Sequence, residues 1–248
     1  MEFAASRRWT LFDPDIWKFF FKPGEVVEVR MPKVNGKSPA WGGAYVRGTV
    51  SGFFDDHGAF CKAIKLADQS NHAGIYFTLQ KIDPRLLARS FNRLKLSEVT
   101  TSDRDCLAYR WVPVDLDPIR PSGIPSSNSE LQAALELRDT VAGWIVEHFK
   151  FPPPIRAVSG NGGHLLFRLP DLPVTEENRE FIRNLLEDLA RRFNNGRVQI
   201  DTTVHNPARI WKVYGTTARK GDAIPTGTNR EARPFRTSYI DNLGGLGQ

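Results

Sequence analysis

Hydrophobic and polar residues alternate with a period of two along EVVEVRMP (25–32), GAYVRGTVSGFF (43–54) and GIYFTLQ (74–80), which predicts half-buried strands. Between the last two, DDHGAFCKAIKLAD (55–68) has helical spacing, and PRLLARSFNRL (84–94) reads as a short basic amphipathic helix. YRWVPVDLD (109–117) is an apolar strand ending in charge, and SSNSELQAALELRDTVAGWIVEHFK (126–150) predicts a long helix with a Ser/Asn cap. FPPPIRAVSGNGGHLLFRLP (151–170) has the turn chemistry of a hairpin, and TEENREFIRNLLEDLARRFNN (175–195) predicts a second long helix capped by Thr175. VQID (198–201) and ARIWKVYG (208–215) supply the last strands. From 101 to 215 the order is strand, helix, hairpin, helix, strand, strand. An antiparallel sheet backed by two helices is the economical packing, so the expected class is α+β, a mixed α/β architecture.

At 248 residues and 40% hydrophobic content the chain can bury a sizeable core, which excludes a disordered tail or a disulfide-stapled miniprotein. No stretch approaches the roughly 20 apolar residues that cross a bilayer. The start MEFAASRRWTLFDPD lacks the apolar core of a secretory signal, and Cys61 and Cys106 are too few for a disulfide framework or a zinc site. A soluble protein of the reducing cytoplasm is expected, with no membrane partner. The aromatic run from Trp9 to Phe21 is read as a hydrophobic segment docking on the body. The net charge of +6 is uneven: residues 1–100 hold 15 basic and 10 acidic residues, 101–201 hold 12 and 15, and 202–248 hold 7 and 3. Basic ends attract polyphosphates or nucleic-acid backbones, and an acidic middle suggests a bound cation.

Three carboxylates stand out by position. Asp115 and Asp117 in VPVDLDP sit two apart at a strand end, so the pleat sends both to one face while Val114 and Leu116 point to the core. Asp201 ends VQID in the same way and would close the third side of a metal site if the strands are neighbours. The alternative is that strand-end Asp residues cap the following turn. SGNGGH, from Ser159 to His164, offers glycines at 160, 162 and 163 that free the backbone to approach an anion, beside a hydroxyl and an imidazole. It is neither a Walker A loop nor a dinucleotide fingerprint, and a tight polar turn with a buried histidine would read the same way. Downstream, Arg209 and Trp211 share a strand face, with Lys212 on the other unless a bulge re-aims it. Arg209 and Lys212 suit a triphosphate. Arg219, Lys220, Arg233 and Arg236 extend the basic segment and would hold a nucleic-acid backbone or form an ordinary surface charge run.

Taken in order, these segments resemble the archaeo-eukaryotic primase superfamily, specifically the bacterial and mobile-element primase-polymerases, including those associated with CRISPR systems. The resemblance spans roughly residues 70–238 and rests on DLD (Asp115, Asp117), on Ser159 and glycines before His164, and on Asp201 followed by NPARIWKVYGT. It implies an RRM-like antiparallel palm backed by helices over 101–240, packed on an N-terminal α/β lobe over 1–100, with the active-site cleft between them; the Gly-rich composition of 241–248 is read as a flexible tail. It implies that Asp115, Asp117 and Asp201 bind two catalytic divalent ions, Mg²⁺ or Mn²⁺. Ser159, Gly160, Gly163, His164, Arg209 and Lys212 would meet the triphosphate of an incoming nucleotide. The expected activity is a template-directed nucleotidyltransferase, a DNA primase and polymerase that uses nucleoside triphosphates on a single-stranded DNA template. The alternatives are a non-catalytic single-strand-binding module of the same fold and a metal nuclease. The tail NLGGLGQ suggests further domains or partner proteins beyond the C-terminus.

Overall fold

The period-two segments pair into sheets. The computed structural model describes residues 8–247, in the order α1 (Pro14–Phe20), β1 (Val27–Lys37), β2 (Tyr45–Phe54), α2 (His57–Asp68), β3 (Tyr76–Thr78), β4 (Lys81–Ile82), β5 (Lys95–Leu96), β6 (Cys106–Pro118), α3 (Asn128–Phe149), β7 (Ile155–Val158), β8 (Gly163–Pro173), α4 (Glu176–Phe193), β9 (Val198–Ile200), β10 (Ile210–Lys212), β11 (Thr217–Ala218), β12 (Arg236–Thr237) and β13 (Tyr239–Asn242). The longer helices begin where caps are written. Asp56 accepts from the Ala59 N–H, Ser127 and Glu130 form a reciprocal capping box, and Thr175 accepts from the Asn178 N–H.

One antiparallel sheet runs β10-β3-β1-β2-β5, and a second runs β13-β7-β8-β6-β4 with β9 alongside β6. α3 packs on β6, β8 and β9, and α4 packs on β9 and α3, which gives the α+β palm arrangement. Val114, Leu116, Leu165, Ala134, Val141, Leu186 and Leu189 are fully buried in a core continuous with Val29, Met31, Val50 and Phe77 of the first sheet. The division at residue 100 is not a division between sheets. β4 belongs to the second sheet and β10, from the C-terminal half, is the edge strand of the first. The N-terminal aromatics dock as expected: Trp17, Phe20 and Phe21 are buried, and Phe20 stacks on Trp111 at 5.2 Å.

Two expectations are corrected. Residues 84–94 form a 3₁₀ stretch over Pro84–Arg89 in place of an α-helix. The backbone beyond it is used elsewhere: the Ser90 carbonyl accepts from the Phe53 N–H, and the Asn92 N–H donates to the Phe53 carbonyl. The tail expected from 241 is ordered where described. Asp241 and Asn242 lie in β13, Asp241 pairs with Arg138 at 2.9 Å, and the Gly245 N–H donates to the Pro153 carbonyl. Residues 1–7, part of the segment read against a secretory signal, and residue 248 lie outside the described residues. Among the described residues no helix is long and apolar enough to cross a membrane.

Candidate active site

β6 carries the first two acids. Val114 and Leu116 are fully buried, so Asp115 and Asp117 leave the strand on the face away from the core. β9 runs beside it with Leu116 opposite Ile200, and the Asp201 N–H donates to the Asp115 carbonyl at 2.9 Å. Crowding of acids has an electrostatic cost. The Asp115 charge, and then burial, raise the Asp117 carboxyl to about 6, against relief from Lys220, Arg120 and His164.

β7 and β8 form the expected hairpin, and its turn rests on the end of β6. Ser159 Oγ accepts from the Gly162 N–H at 2.9 Å, while the Ser159 N–H donates to the Gly162 carbonyl at 3.0 Å. A Cβ on Gly162 would lie 2.4 Å from the Leu116 carbonyl oxygen and 3.2 Å from Asp117 Oδ1, so only glycine lets the turn sit there. A Cβ on Gly160, at φ +102°, would lie 2.7 Å from the Ala218 Cβ and 2.9 Å from the Arg236 carbonyl oxygen, and Gly163 packs against Ala134 and Arg138 of α3. His164 stands opposite Asp115 across the β6–β8 ladder. Its Nε2 lies 3.4 Å from Asp115 Oδ1 and its Nδ1 lies 2.9 Å from the Tyr214 hydroxyl.

Arg209 and Lys212 approach from the first sheet. β10 is an edge strand, so side chains from both of its faces border the cleft between the sheets. One Arg209 Nη2 donates to the carbonyl and hydroxyl of Thr203, and its Nε is buried without a partner among the described residues. Lys212 is buried, donates to the Thr217 carbonyl at 3.0 Å, and has its ammonium lowered to about 7 by burial. Asp115, Asp117, Asp201, Ser159, His164, Arg209 and Lys212 all line one cavity of about 340 Å³, with Lys220. Asn161 and Tyr76, to which the sequence reading gives no role, line it too. Asn161 Oδ1 accepts from the Ser126 N–H at 2.9 Å, and its amide NH₂ has no partner among the described residues. The signal for Asn161 was present, inside SGNGGH. Tyr76 had none, since a strand aromatic reads as core.

The basic segment divides between pairing within the fold and the cavity. Arg219 donates to Asp68 at 3.1 Å and to His72 at 2.7 Å. Arg233 makes a fork on Glu130 at 2.7 and 2.9 Å, and Arg236 donates to the Ser126 carbonyl at 2.8 Å and to Asn128 at 2.6 Å. These three side chains hold β11, β12 and the intervening excursion against α2 and the start of α3. Lys220, of the four, lines the cavity.

Whether a divalent cation fits is decided by the donor set. Asp115 and Asp117 are hard oxygen donors whose mutual repulsion a cation would relieve, and that fits Mg²⁺ or Mn²⁺. Asp201 is a partial departure. Its Oδ1 accepts from the Thr203 N–H at 2.8 Å and from the Thr203 hydroxyl at 2.7 Å, capping the Thr202–His205 turn. Oδ2 accepts no bond among the described residues. Among those residues no group of three or more His, Cys, Asp or Glu side chains converges as a ready-made metal site. The acid pair fits, and the third acid borders the cavity with one oxygen committed.

No protein-family model matches the chain, and no curated protein matches its sequence. Among solved structures it is similar to the polymerase domain from Mycobacterium tuberculosis ligase D in complex with DNA. The identity is 14% and the TM-score 0.45, over 92% of this chain and 79% of that one.

Proposed function

We propose that the chain is a template-directed nucleotidyltransferase, a primase-polymerase that starts and extends DNA strands from nucleoside triphosphates on a single-stranded DNA template. The observation that supports this is a meeting of groups in one cavity between the sheets: a repelling acid pair, a glycine turn carrying His164, and the basic side chains of Arg209, Lys212 and Lys220. Asp115 and Asp117 would hold Mg²⁺ or Mn²⁺, two ions per site, with Asp201 contributing Oδ2. When bound, the ions neutralise phosphate charge and activate an attacking 3′-hydroxyl.

The chain's own residues do the placing. Arg209, anchored at Thr203 through Nη2, keeps Nη1 for a phosphate oxygen. His164 presents Nε2 beside Asp115, and Asn161 offers its amide NH₂ from the turn. Lys220 adds charge at the mouth beside Asp117. Chemistry of this kind needs little more than position and electrostatics from the protein.

The test is thermal stabilisation by a deoxynucleoside triphosphate plus Mn²⁺ beyond that given by either alone, together with strand synthesis on an unprimed single-stranded template. Asp115→Ala should abolish both. The capped Asp201 favours one competing reading, a non-catalytic single-strand-binding module. Tight template binding with no nucleotide–metal synergy and no synthesis would establish that module instead.

A further inference from the structure

Three buried groups, His164 among them, form a hydrogen-bonded chain. The Trp211 Nε1–H donates to the Tyr214 hydroxyl oxygen at 2.8 Å, and that hydroxyl lies 2.9 Å from His164 Nδ1. Trp211 belongs to the edge strand of the first sheet and His164 to the second, with their rings 4.2 Å apart. All three side chains are nine-tenths or more buried.

The direction of these bonds follows from what each group can do. An indole N–H only donates, so the Tyr214 oxygen is the acceptor in the first bond. Burial raises the Tyr214 hydroxyl far above the ordinary phenol range, so it keeps its proton. That proton needs an acceptor, and among the described residues the one within reach is His164 Nδ1. Were Nδ1 protonated instead, the tyrosine oxygen would accept twice and its own O–H would be orphaned in the core, which is costly. The charged group at the ring, Asp115, faces Nε2 at 3.4 Å and so meets a donor.

We propose that Tyr214 is a positioning residue that occupies Nδ1 of His164, fixes the imidazole proton on Nε2, and thereby presents the histidine to the cavity as a hydrogen-bond donor to a phosphate oxygen. The identity of that anion rests on the proposed nucleotidyltransferase site, whereas the place of the proton does not. Trp211 completes the arrangement by occupying the second side of the tyrosine oxygen.

The test reads the proton directly. Long-range ¹H–¹⁵N correlation spectra of histidine-labelled protein without metal, at a pH where the ring is neutral, report the tautomer of His164, whose signals are assigned by their loss in His164→Ala. The wild type should show a single form with Nδ1 unprotonated. Tyr214→Phe keeps the ring and removes the hydroxyl, and should give a mixture containing Nδ1–H. Since apparent affinity scales with the competent fraction, dATP binding with Mn²⁺ should weaken about two- to fivefold, with single-stranded template affinity unchanged. A wild-type spectrum with Nδ1 protonated would overturn the proposal whether or not the variant folds. A Phe variant that keeps the single Nε2–H form would also overturn it, assigning the tautomer to Asp115. If the wild type shows the expected form yet binds no dATP, the positioning role stands and the nucleotide reading fails.

Discussion

At the scale of single residues, Asp117 and Gly162 carry the sharpest consequences. The folded-state carboxyl of Asp117 sits near 6 where an unfolded one sits at 3.8, so the native state binds its proton more tightly. Metal-free stability therefore falls as pH rises through that window and stays low above it. Asp115→Asn removes the largest cause. Because the Asp117 side chain is 34% exposed and so screened, the gain in stability at pH 7.5 in EDTA should be about 1 kcal/mol and should vanish by pH 3.5. Denaturant midpoints at the two pH values measure it, and a variant less stable than wild type at pH 7.5 would contradict the repelling pair. Gly162→Ala places a methyl 2.4 Å from the Leu116 carbonyl, which must move the turn or the strand end. It should cost about 1–3 kcal/mol and weaken Mn²⁺ binding at Asp117, read by calorimetry on the folded variant.

At the scale of elements, the β11–β12 ribbon is clasped to α3 through arginines that the sequence alone offers equally to nucleic acid. Arg233 and Arg236 find Glu130, Ser126 and Asn128 more than 100 residues away in the chain, and no local pattern announces such partners. Replacing both with alanine should destabilise the protein by about 2–4 kcal/mol, since Glu130 Oε1 and the Pro125 and Ser126 carbonyls lose their donors. The salt dependence of template binding should not change. Lys220→Ala should have the opposite balance, changing stability much less than the arginine pair does and lowering the slope of log affinity against log salt by about one. Fluorescence anisotropy with a labelled single strand, repeated across salt concentrations, separates the two. A flattened slope in the arginine variant would return those side chains to the strand-binding surface.

Across the whole molecule, Arg110 ties distant parts together. Its side chain is 2% exposed and donates to the Phe20 carbonyl at the end of α1, to Glu25 at 2.6 Å, and to Asp171 of β8 at 2.9 and 3.0 Å. The Arg110 bonds hold the Asp171 carboxyl down to about 2, and for Glu25 burial's upward effect is overridden by Arg110 together with the Lys22 N–H and Lys81. A depressed carboxyl contributes stability above its unfolded value and loses it as pH falls through the folded one. The wild type should therefore lose stability between pH 4 and 2, and Asp171→Asn should flatten that stretch while costing about 1–2 kcal/mol at pH 7. Urea midpoints across the range would show it. An unchanged acid limb would mean that the pair does not couple α1 to the second sheet.

Periodicity and cap chemistry suffice for most elements, because a helix start or a half-buried strand is specified within a few residues: Ser127 with Glu130, Thr175, and the alternation around Asp115 and Asp117 are examples. The same local rules bring Asp115 and Asp117 to one face and make SGNGGH a turn. They fail where a backbone or side chain has a choice of partners. Residues 84–94 have helical spacing, yet the edge of β2 takes their backbone groups, and Asp201 ends a strand beside its fellow acids but turns one oxygen to Thr203. Strand exchange between the sheets was likewise beyond local pattern, since β4 and β10 are two- and three-residue pieces whose place is decided by the strands they meet. The Trp211–Tyr214–His164 chain is of that kind. RIWKVYG reads as an apolar strand, and only the approach of the two sheets turns its tyrosine into a partner of the histidine, because a buried hydroxyl must be satisfied by whatever the fold brings to it.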